Sequence, residues 1–442
     1  MTLLQKLKRI YSRLFKGAFA KNVTIVAGGT ALTQLLVFLL SPIVTRLYSP
    51  EEFGVLSLYS AVLSMIAIAA SLKYEWSIPI AESDEKVINI VALSFSILCI
   101  TSILITSLLV IPEKDIIIRI IGLELYPYRL FLPMGVLFTG LYNILLQIGY
   151  RDRAYKVIAK TKLSQVITGE SVRIGFGFFS VGPIGLILGS ILKISAGSIS
   201  LIKNIIKIDK YRICDISWNQ IKIIAKRYRD FPVFSAPSQI LNTAGLNLPK
   251  IFLASLYGIE VVGAFGFASS VISLPVLLVG NSVADVFYGE AAKLRYSDPK
   301  RLKVLSLLLF KKLLLIGFLP FITLVFFGPL IFSIVFGNRW EIAGRYAQIL
   351  SFLVYARLVF IPFSRIFSIY EKQNIALLLD IFRVIVVVIV FILCKFLGYN
   401  ELLAIILYTI SMFLVYVTTF IMVQLMMTKA LNKPTINTKV EP

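Results

Sequence analysis

The sequence predicts an all-α polytopic membrane protein with twelve transmembrane helices in two pseudo-symmetric six-helix bundles. Three observations carry that prediction. Of 442 residues, 58% are hydrophobic, more than a soluble core needs, and they come in runs of about 20, the length that crosses a bilayer's hydrocarbon. The 45 Lys and Arg, against 23 Asp and Glu, fall mostly between the runs, where positive charge reports topology and not nucleic-acid binding. The third is an internal repeat. Ser41 to Ser64 closes one apolar run, turns through a polar loop and opens the next, and the same plan returns from Lys250 to Ser273. At a shift of 209, Leu47, Tyr48, Glu51, Gly54, Ser60, Val62 and Ser64 fall on Leu256, Tyr257, Glu260, Gly263, Ser269, Val271 and Ser273. Seven matches in eighteen positions exceed the roughly two that chance allows in apolar sequence.

Residues 1–21 come first. Leu3, Leu7, Ile10, Tyr11, Leu14 and Ala18 recur at helical spacing among Lys6, Lys8, Arg9, Arg13 and Lys16, which predicts a basic amphipathic helix on the membrane surface. Twelve apolar spans follow, at about 22–46, 53–72, 87–110, 127–149, 157–180, 183–202, 232–255, 261–284, 306–336, 343–369, 373–397 and 400–427. Prolines such as Pro133, Pro249, Pro320 and Pro362 interrupt them, as membrane helices tolerate when neighbours re-satisfy the freed backbone groups. With the N-terminus inside, the inner segments hold 32 of the Lys and Arg and the outer loops six. The bias places both termini in the cytoplasm. The longest polar stretch, 203–231, divides the chain into lobes 22–208 and 232–428, with a cytoplasmic linker at 209–231 and a tail at 429–442. Six spans per lobe is an even number, so the repeat is parallel.

The chain contains no histidine, which removes Ser/His/Asp and Cys/His catalysis and His-ligated metal. Cys99, Cys214 and Cys394 are far apart and form no CxxC. No Gly precedes a Lys, so there is no P-loop. The sequence therefore points to no enzyme, no cofactor and no metal.

The polar residues within spans carry the functional reading. Span one holds Thr30, Gln34, Ser41 and Thr45 on one helical face. The repeat maps the first three onto Gln239, Thr243 and Lys250 of span seven, which also carries Asn242, Asn247 and Pro249. Interrupted polar helices in matching positions of two halves point to a transporter's central site; small polar residues also pack helices together, as Gly185 and Gly189 are expected to do. Span five carries Glu170 and Arg173, and span eleven Asp380 and Arg383, each pair spaced i,i+3 and related by a shift of 210. These acids read either as coupling groups or as internal neutralisation. Lys193, Arg357 and Arg365 add positive charge, with Arg46 and Arg129 near the outer ends of spans one and four. Buried charge must face a partner or a wet cavity. Cations outnumber acids, which favours an anionic cargo over a cationic drug.

The segment P-I-V-T-R-L-Y-S-P-E-E-F-G-V-L-S-L-Y, followed by K-Y-E-W-S-I-P-I-A, on a twelve-span plan, resembles the O-antigen and capsular polysaccharide flippases of the multidrug/oligosaccharidyl-lipid/polysaccharide exporter superfamily. The motif covers Pro42 to Ala81; the resemblance in organisation covers nearly the whole chain. It implies a V-shaped bundle with a central cationic cavity in the bacterial inner membrane. The implied cargo is a polyprenyl-pyrophosphate-linked glycan moved from the cytoplasmic to the outer leaflet by alternating access. Membrane lipids, a polysaccharide polymerase and a chain-length regulator are the implied partners. The family offers no universal motif to carry over, so the expected site comes from the residues themselves. Lys250, Arg173, Arg357 and Arg383 would hold the pyrophosphate; Gln34, Gln239 and Asn242 would face sugar hydroxyls; Arg46 completes the substrate set; Glu170 and Asp380 are the coupling or ion-pair acids. The rival readings are a multidrug exporter of the same superfamily, a membrane polymerase or transferase, and a binding-only scaffold.

Overall fold

The computed structural model describes residues 18–208 and 210–431. The expected N-terminal surface helix and most of the C-terminal tail lie outside the described residues. Among the described residues every regular element is helical. The twelve crossing elements are α1 (Ala18–Leu47), α2 (Pro50–Ala69), α3 (Asp84–Val110), α5 (Phe131–Arg151), α6 (Tyr155–Phe178), α7 (Pro183–Ile208), α9 (Ala236–Tyr257), the pair α10 (Ile259–Ile272) and α11 (Asn281–Ser297), α12 (Pro299–Phe336), α13 (Glu341–Ser364), α14 (Gln373–Leu397) and α15 (Glu401–Leu431). Two short surface helices, α4 (Lys114–Ile121) and α8 (Trp218–Arg227), lie between them, and single turns such as Ile366–Ile369 fill other connections. Among the described residues, nine of the crossing helices are long and apolar enough to span a membrane by length and composition alone. The other three are α6 and α9, which carry many polar side chains, and the broken α10/α11.

Two differences from the expected spans have local causes. The eighth span is not one helix: Val276–Gly280 forms a π-helical turn between α10 and α11, just after Pro275, which has no N–H to give the ladder. The ninth span starts earlier than expected: residues 299–305 are helical as well. Asp298 caps α12 by accepting from the Arg301 N–H at 2.9 Å, and Pro299 occupies the first turn. At 38 residues α12 is about 57 Å long, so its basic first turns extend beyond a hydrocarbon core of about 30 Å. Pro42 leaves α1 unbroken. It cannot bond to the Phe38 carbonyl, and the Ser41 hydroxyl donates to that oxygen instead, at 2.6 Å.

The chain divides into two compact units, up to Gly263 and from Ala264. In the first, α6 packs closely on α7 and α1, with α3, α5 and α7 around a core that includes Ile90, Leu98, Leu132 and Val136. The approach of α6 and α7 needs glycine. A Cβ on Gly189 would stand 3.0 Å from the Gly169 carbonyl, and one on Gly185 would stand 2.6 Å from the Phe176 Cβ. The packing role expected of these glycines is thus present.

The first unit also holds both copies of the repeated stretch at their glycines, where α2 meets the start of α10. A Cβ on Gly54 would lie 2.0 Å from the Ile259 carbonyl oxygen, and one on Gly263 would lie 1.7 Å from that of Pro50. Pro50 and Ile259, like Gly54 and Gly263, are 209 residues apart. The contact is therefore self-complementary, as a two-fold relation between equal surfaces requires.

At the end of the first unit where α2 joins α3, the connections are clasped. Arg151 donates to the Ile78 and Ala81 carbonyls and pairs with Asp84 at 3.1 Å. Lys210 pairs with Asp84 at 3.1 Å, Tyr211 donates to Asp152 at 2.8 Å, and Arg227 pairs with Glu82. Lys73, expected as a loop charge, is buried and ion-paired with buried Glu75 at 3.6 Å, and Glu75 also accepts from Ser71 at 2.7 Å. In the second unit Arg295 closes the matching connection by donating to the Ile369 carbonyl and to Glu371 at 3.0 Å. That unit's core is aromatic: Phe267 packs on Phe332, Phe336 and Trp340, and Phe360 on Phe310 and Phe420.

Candidate functional site

The first unit's charged centre is built across α6 and α7. Glu170 and Arg173 lie one turn apart on α6, so helix geometry alone brings them together. Arg173 Nη1 donates to Glu170 Oε1 at 2.9 Å. Its Nη2 reaches across to the Ser190 hydroxyl of α7 at 2.8 Å, and Ser190 in turn donates to the Leu186 carbonyl. Gly189 makes this possible, since a Cβ there would collide with Arg173 Cγ at 2.5 Å. Glu170 is 2% exposed. Lys193, half-buried on α7, lies within electrostatic reach of both partners. Two cations thus act on one carboxylate, and Arg173 Nε is buried with no hydrogen-bond partner among the described residues. Such a centre has donor capacity left over for an anion.

The second unit repeats the composition. Arg383 Nη2 on α14 pairs with Asp380 Oδ1 at 3.0 Å, and Arg383 is buried. Arg357 on α13 and Arg383 both lie within electrostatic reach of Tyr408 on α15. Arg357 is half-buried, and its Nε has no hydrogen-bond partner among the described residues. One acid, Asp380, is thus held by Arg383, and a second guanidinium, Arg357, faces the same Tyr408. Both i,i+3 pairs read from the sequence are formed.

The remaining expected residues are more scattered. Lys250 is half-buried on α9, with its Nζ 3.4 Å from Asn247 Oδ1, while Asn247 donates to the Thr243 carbonyl at 3.0 Å. Gln239 and Asn242, on the same helix, and Gln34 on α1 are half-buried. Arg46 is exposed in the last turn of α1. Beside it, the Tyr48 hydroxyl donates to the Arg173 carbonyl at 2.7 Å, tying the end of α1 to the charged turn of α6. Arg129 lies apart, with its guanidinium 4.3 Å from the Tyr126 ring centroid. Ser41 and Thr45 bond back to their own helix.

Sequence reasoning missed Lys162 and Ser190. Lys162 Nζ donates to the Thr30 hydroxyl at 2.6 Å, joining α6 to α1. It lies inside the expected span 157–180, eleven residues before Arg173, three helical turns away and on the same face. That spacing was the available signal. Ser190 gave none beyond its place after Gly189.

Comparison with known proteins follows the same line. A family model described as "Polysaccharide biosynthesis protein" matches residues 43–345. The teichuronic acid biosynthesis protein TuaB of Bacillus subtilis is 26% identical over 137 residues, 31% of this chain and 28% of that protein. The succinoglycan biosynthesis transport protein ExoT of Rhizobium meliloti is 22% identical over 348 residues, 73% of this chain. The matches thus span 28% and 64% of the lengths of these relatives. Among solved structures, an inward-facing multidrug resistance MATE transporter of the MOP superfamily superposes with a TM-score of 0.69 at 17% identity, covering 91% of this chain and 99% of that one. The lipid II flippase MurJ, in an inward closed conformation, gives 0.64 at 16% identity, covering 91% and 90%. These likenesses fix the fold, and the sequence match fixes the kinship: this multi-pass membrane protein belongs to the polysaccharide biosynthesis protein family and has the two-lobe, twelve-helix fold of the MOP superfamily transporters.

Proposed function

We propose that the protein is a flippase that moves polyprenyl-pyrophosphate-linked oligosaccharide repeat units from the cytoplasmic to the outer leaflet of the bacterial inner membrane. It works by alternating access and serves O-antigen or capsular polysaccharide synthesis. One observation carries the reading: in a polysaccharide biosynthesis family chain, each unit holds a carboxylate paired with an arginine and carries a further cation, Lys193 or Arg357, on helices that cross the membrane. Charge inside a membrane is costly, and an excess of cations is best repaid by an anionic cargo. Arg173, Lys250, Arg357 and Arg383 hold the pyrophosphate through charge-assisted hydrogen bonds, joined by Lys193. Gln34, Gln239 and Asn242 meet sugar hydroxyls, and Arg46 acts at the exit. Glu170 and Asp380 hold the arginines while the site is empty. Both termini and the linker 209–231 are cytoplasmic, and the lobes are 22–208 and 232–428. A potential negative inside drives anions outward at about 2.3 kcal/mol per charge per 100 mV. The chain itself catalyses no covalent step. A polymerase and a chain-length regulator take the product.

The test is genetic and biochemical together. Arg173→Ala and Arg357→Ala, each present in the membrane at wild-type level, should abolish surface polysaccharide and trap lipid-linked repeat units on the cytoplasmic leaflet. Normal surface glycan in both would remove these residues from the site. The fold likeness to multidrug transporters supports a second reading, export of cationic drugs. It requires a membrane-embedded acid free to meet the drug, whereas Glu170 and Asp380 are each held by an arginine. Drug resistance conferred by the wild-type chain, lost in Glu170→Gln or Asp380→Asn, would favour it.

A further inference from the structure

We propose that the linker helix α8 is seated in the membrane interface and binds the anionic phospholipid headgroups of the leaflet on its own side. The first observation is depth. Asn89, fully buried in the second turn of α3, donates to the Asp215 carbonyl at 2.9 Å and accepts from the Ser217 N–H at 2.9 Å. The apolar run of α3 begins at Val87. These bonds therefore pin the start of α8 level with the edge of the hydrocarbon. Further along, Ile224 is buried against the unit and the Tyr74 hydroxyl donates to the Ala225 carbonyl at 3.1 Å. The helix thus lies on the protein by one face, at a fixed height.

The second observation is the apolar surface that α8 and the turn leading into it leave exposed. Ile213 is 79% exposed, Trp218 69% and Ile223 60%, with Ile216 also exposed. An aqueous linker has no use for these side chains at its surface, whereas an interfacial helix buries them in the acyl boundary. Tryptophan in particular concentrates at that level.

The third observation is charge. Residues 210–230 contain Lys210, Arg212, Lys222, Lys226, Arg227 and Arg229 against Asp215 and Asp230. Lys210 and Arg227 are used in the clasp with Asp84 and Glu82. Among the described residues no ion pair is formed by Lys222, Lys226 or Arg229. Lys222 Nζ stands 5.6 Å from the centroid of the Trp218 ring, so charge and apolar anchor are side by side. Topology would be served by the basic residues alone. The exposed Trp and Ile at hydrocarbon depth separate lipid seating from mere positive-inside bias.

The experiment uses the full chain in nanodiscs of phosphatidylcholine with or without phosphatidylglycerol. The chain has three tryptophans; Trp218→Phe removes only an exposed ring, so the fluorescence difference between wild type and this variant isolates Trp218 without disturbing the core. The Trp218 signal should be quenched by lipids brominated near the headgroup and shielded from iodide. Brominated phosphatidylglycerol should quench more than brominated phosphatidylcholine, and each of Lys222→Gln and Lys226→Gln should weaken that preference by roughly five-fold. Free access of iodide with no effect of brominated lipid would place the helix in water and overturn the proposal. Shielding from both quenchers would put a protein on this face and overturn it too. Equal quenching by the two lipids would overturn the headgroup assignment. None of these outcomes depends on what the protein transports.

Discussion

Arg173→Ala in α6 gives the sharpest test of how the first charged centre is held. The substitution deletes two charge-assisted hydrogen bonds, to Glu170 at 2.9 Å and to Ser190 at 2.8 Å, each worth about 1.5–3 kcal/mol net. It also leaves the carboxylate of Glu170, 2% exposed, without its guanidinium. Breaking a buried pair by removing one partner costs about 3–5 kcal/mol, because the surviving charge stays desolvated and uncompensated. Removing both partners is cheaper: Glu170→Ala with Arg173→Ala takes away the stranded carboxylate and leaves only Lys193, which is half-buried, so the double variant should recover about 2–3 kcal/mol relative to Arg173→Ala. The assay is unfolding in mixed micelles titrated with SDS, followed by tryptophan fluorescence, for the four members of the cycle. The double variant should be clearly more stable than Arg173→Ala, though below wild type, and remain unable to transport. Additive losses, with the double variant worse than either single one, would refute the argument that Arg173 compensates Glu170.

Two further outcomes follow from local geometry. Gly54→Ala and Gly263→Ala each place a Cβ against a backbone carbonyl, at 2.0 Å and 1.7 Å, where no side chain can yield; each should cost about 1–3 kcal/mol and lower the melting temperature, whereas Gly28→Ala, with open space around it, should not. The linker clasp should loosen in acid. Hydrogen bonds from Lys86 and Arg227 hold the Glu82 carboxyl below its ordinary range. Its contribution is therefore complete at neutral pH and is lost as pH falls through that lowered value. Hydrogen exchange across 218–227 should speed up on acidification beyond the intrinsic pH dependence, and Glu82→Gln should already exchange fast at pH 7. Because Glu82 is exposed, salt should weaken the clasp as well.

The sequence by itself determined the span plan, the repeat and both i,i+3 ion pairs. Each of these is local: apolar run length is set by bilayer thickness, and residues three apart on a helix meet whatever surrounds them. That locality is why Glu170–Arg173 and Asp380–Arg383 could be named before any coordinates. The tertiary structure alone decided what else joins them. Ser190 reaches Arg173, because Gly169 and Gly189 let α6 and α7 approach to backbone contact, and Lys162 reaches Thr30 across 132 positions, where Gly29 of α1 lies against Ala159 of α6. Packing likewise turned Lys73 from a loop charge into half of a buried pair, and Asn89 fixed the depth of a linker that the sequence could only call polar. Such pairings depend on helix separation and rotation, which hydrophobic periodicity constrains only to a broad face.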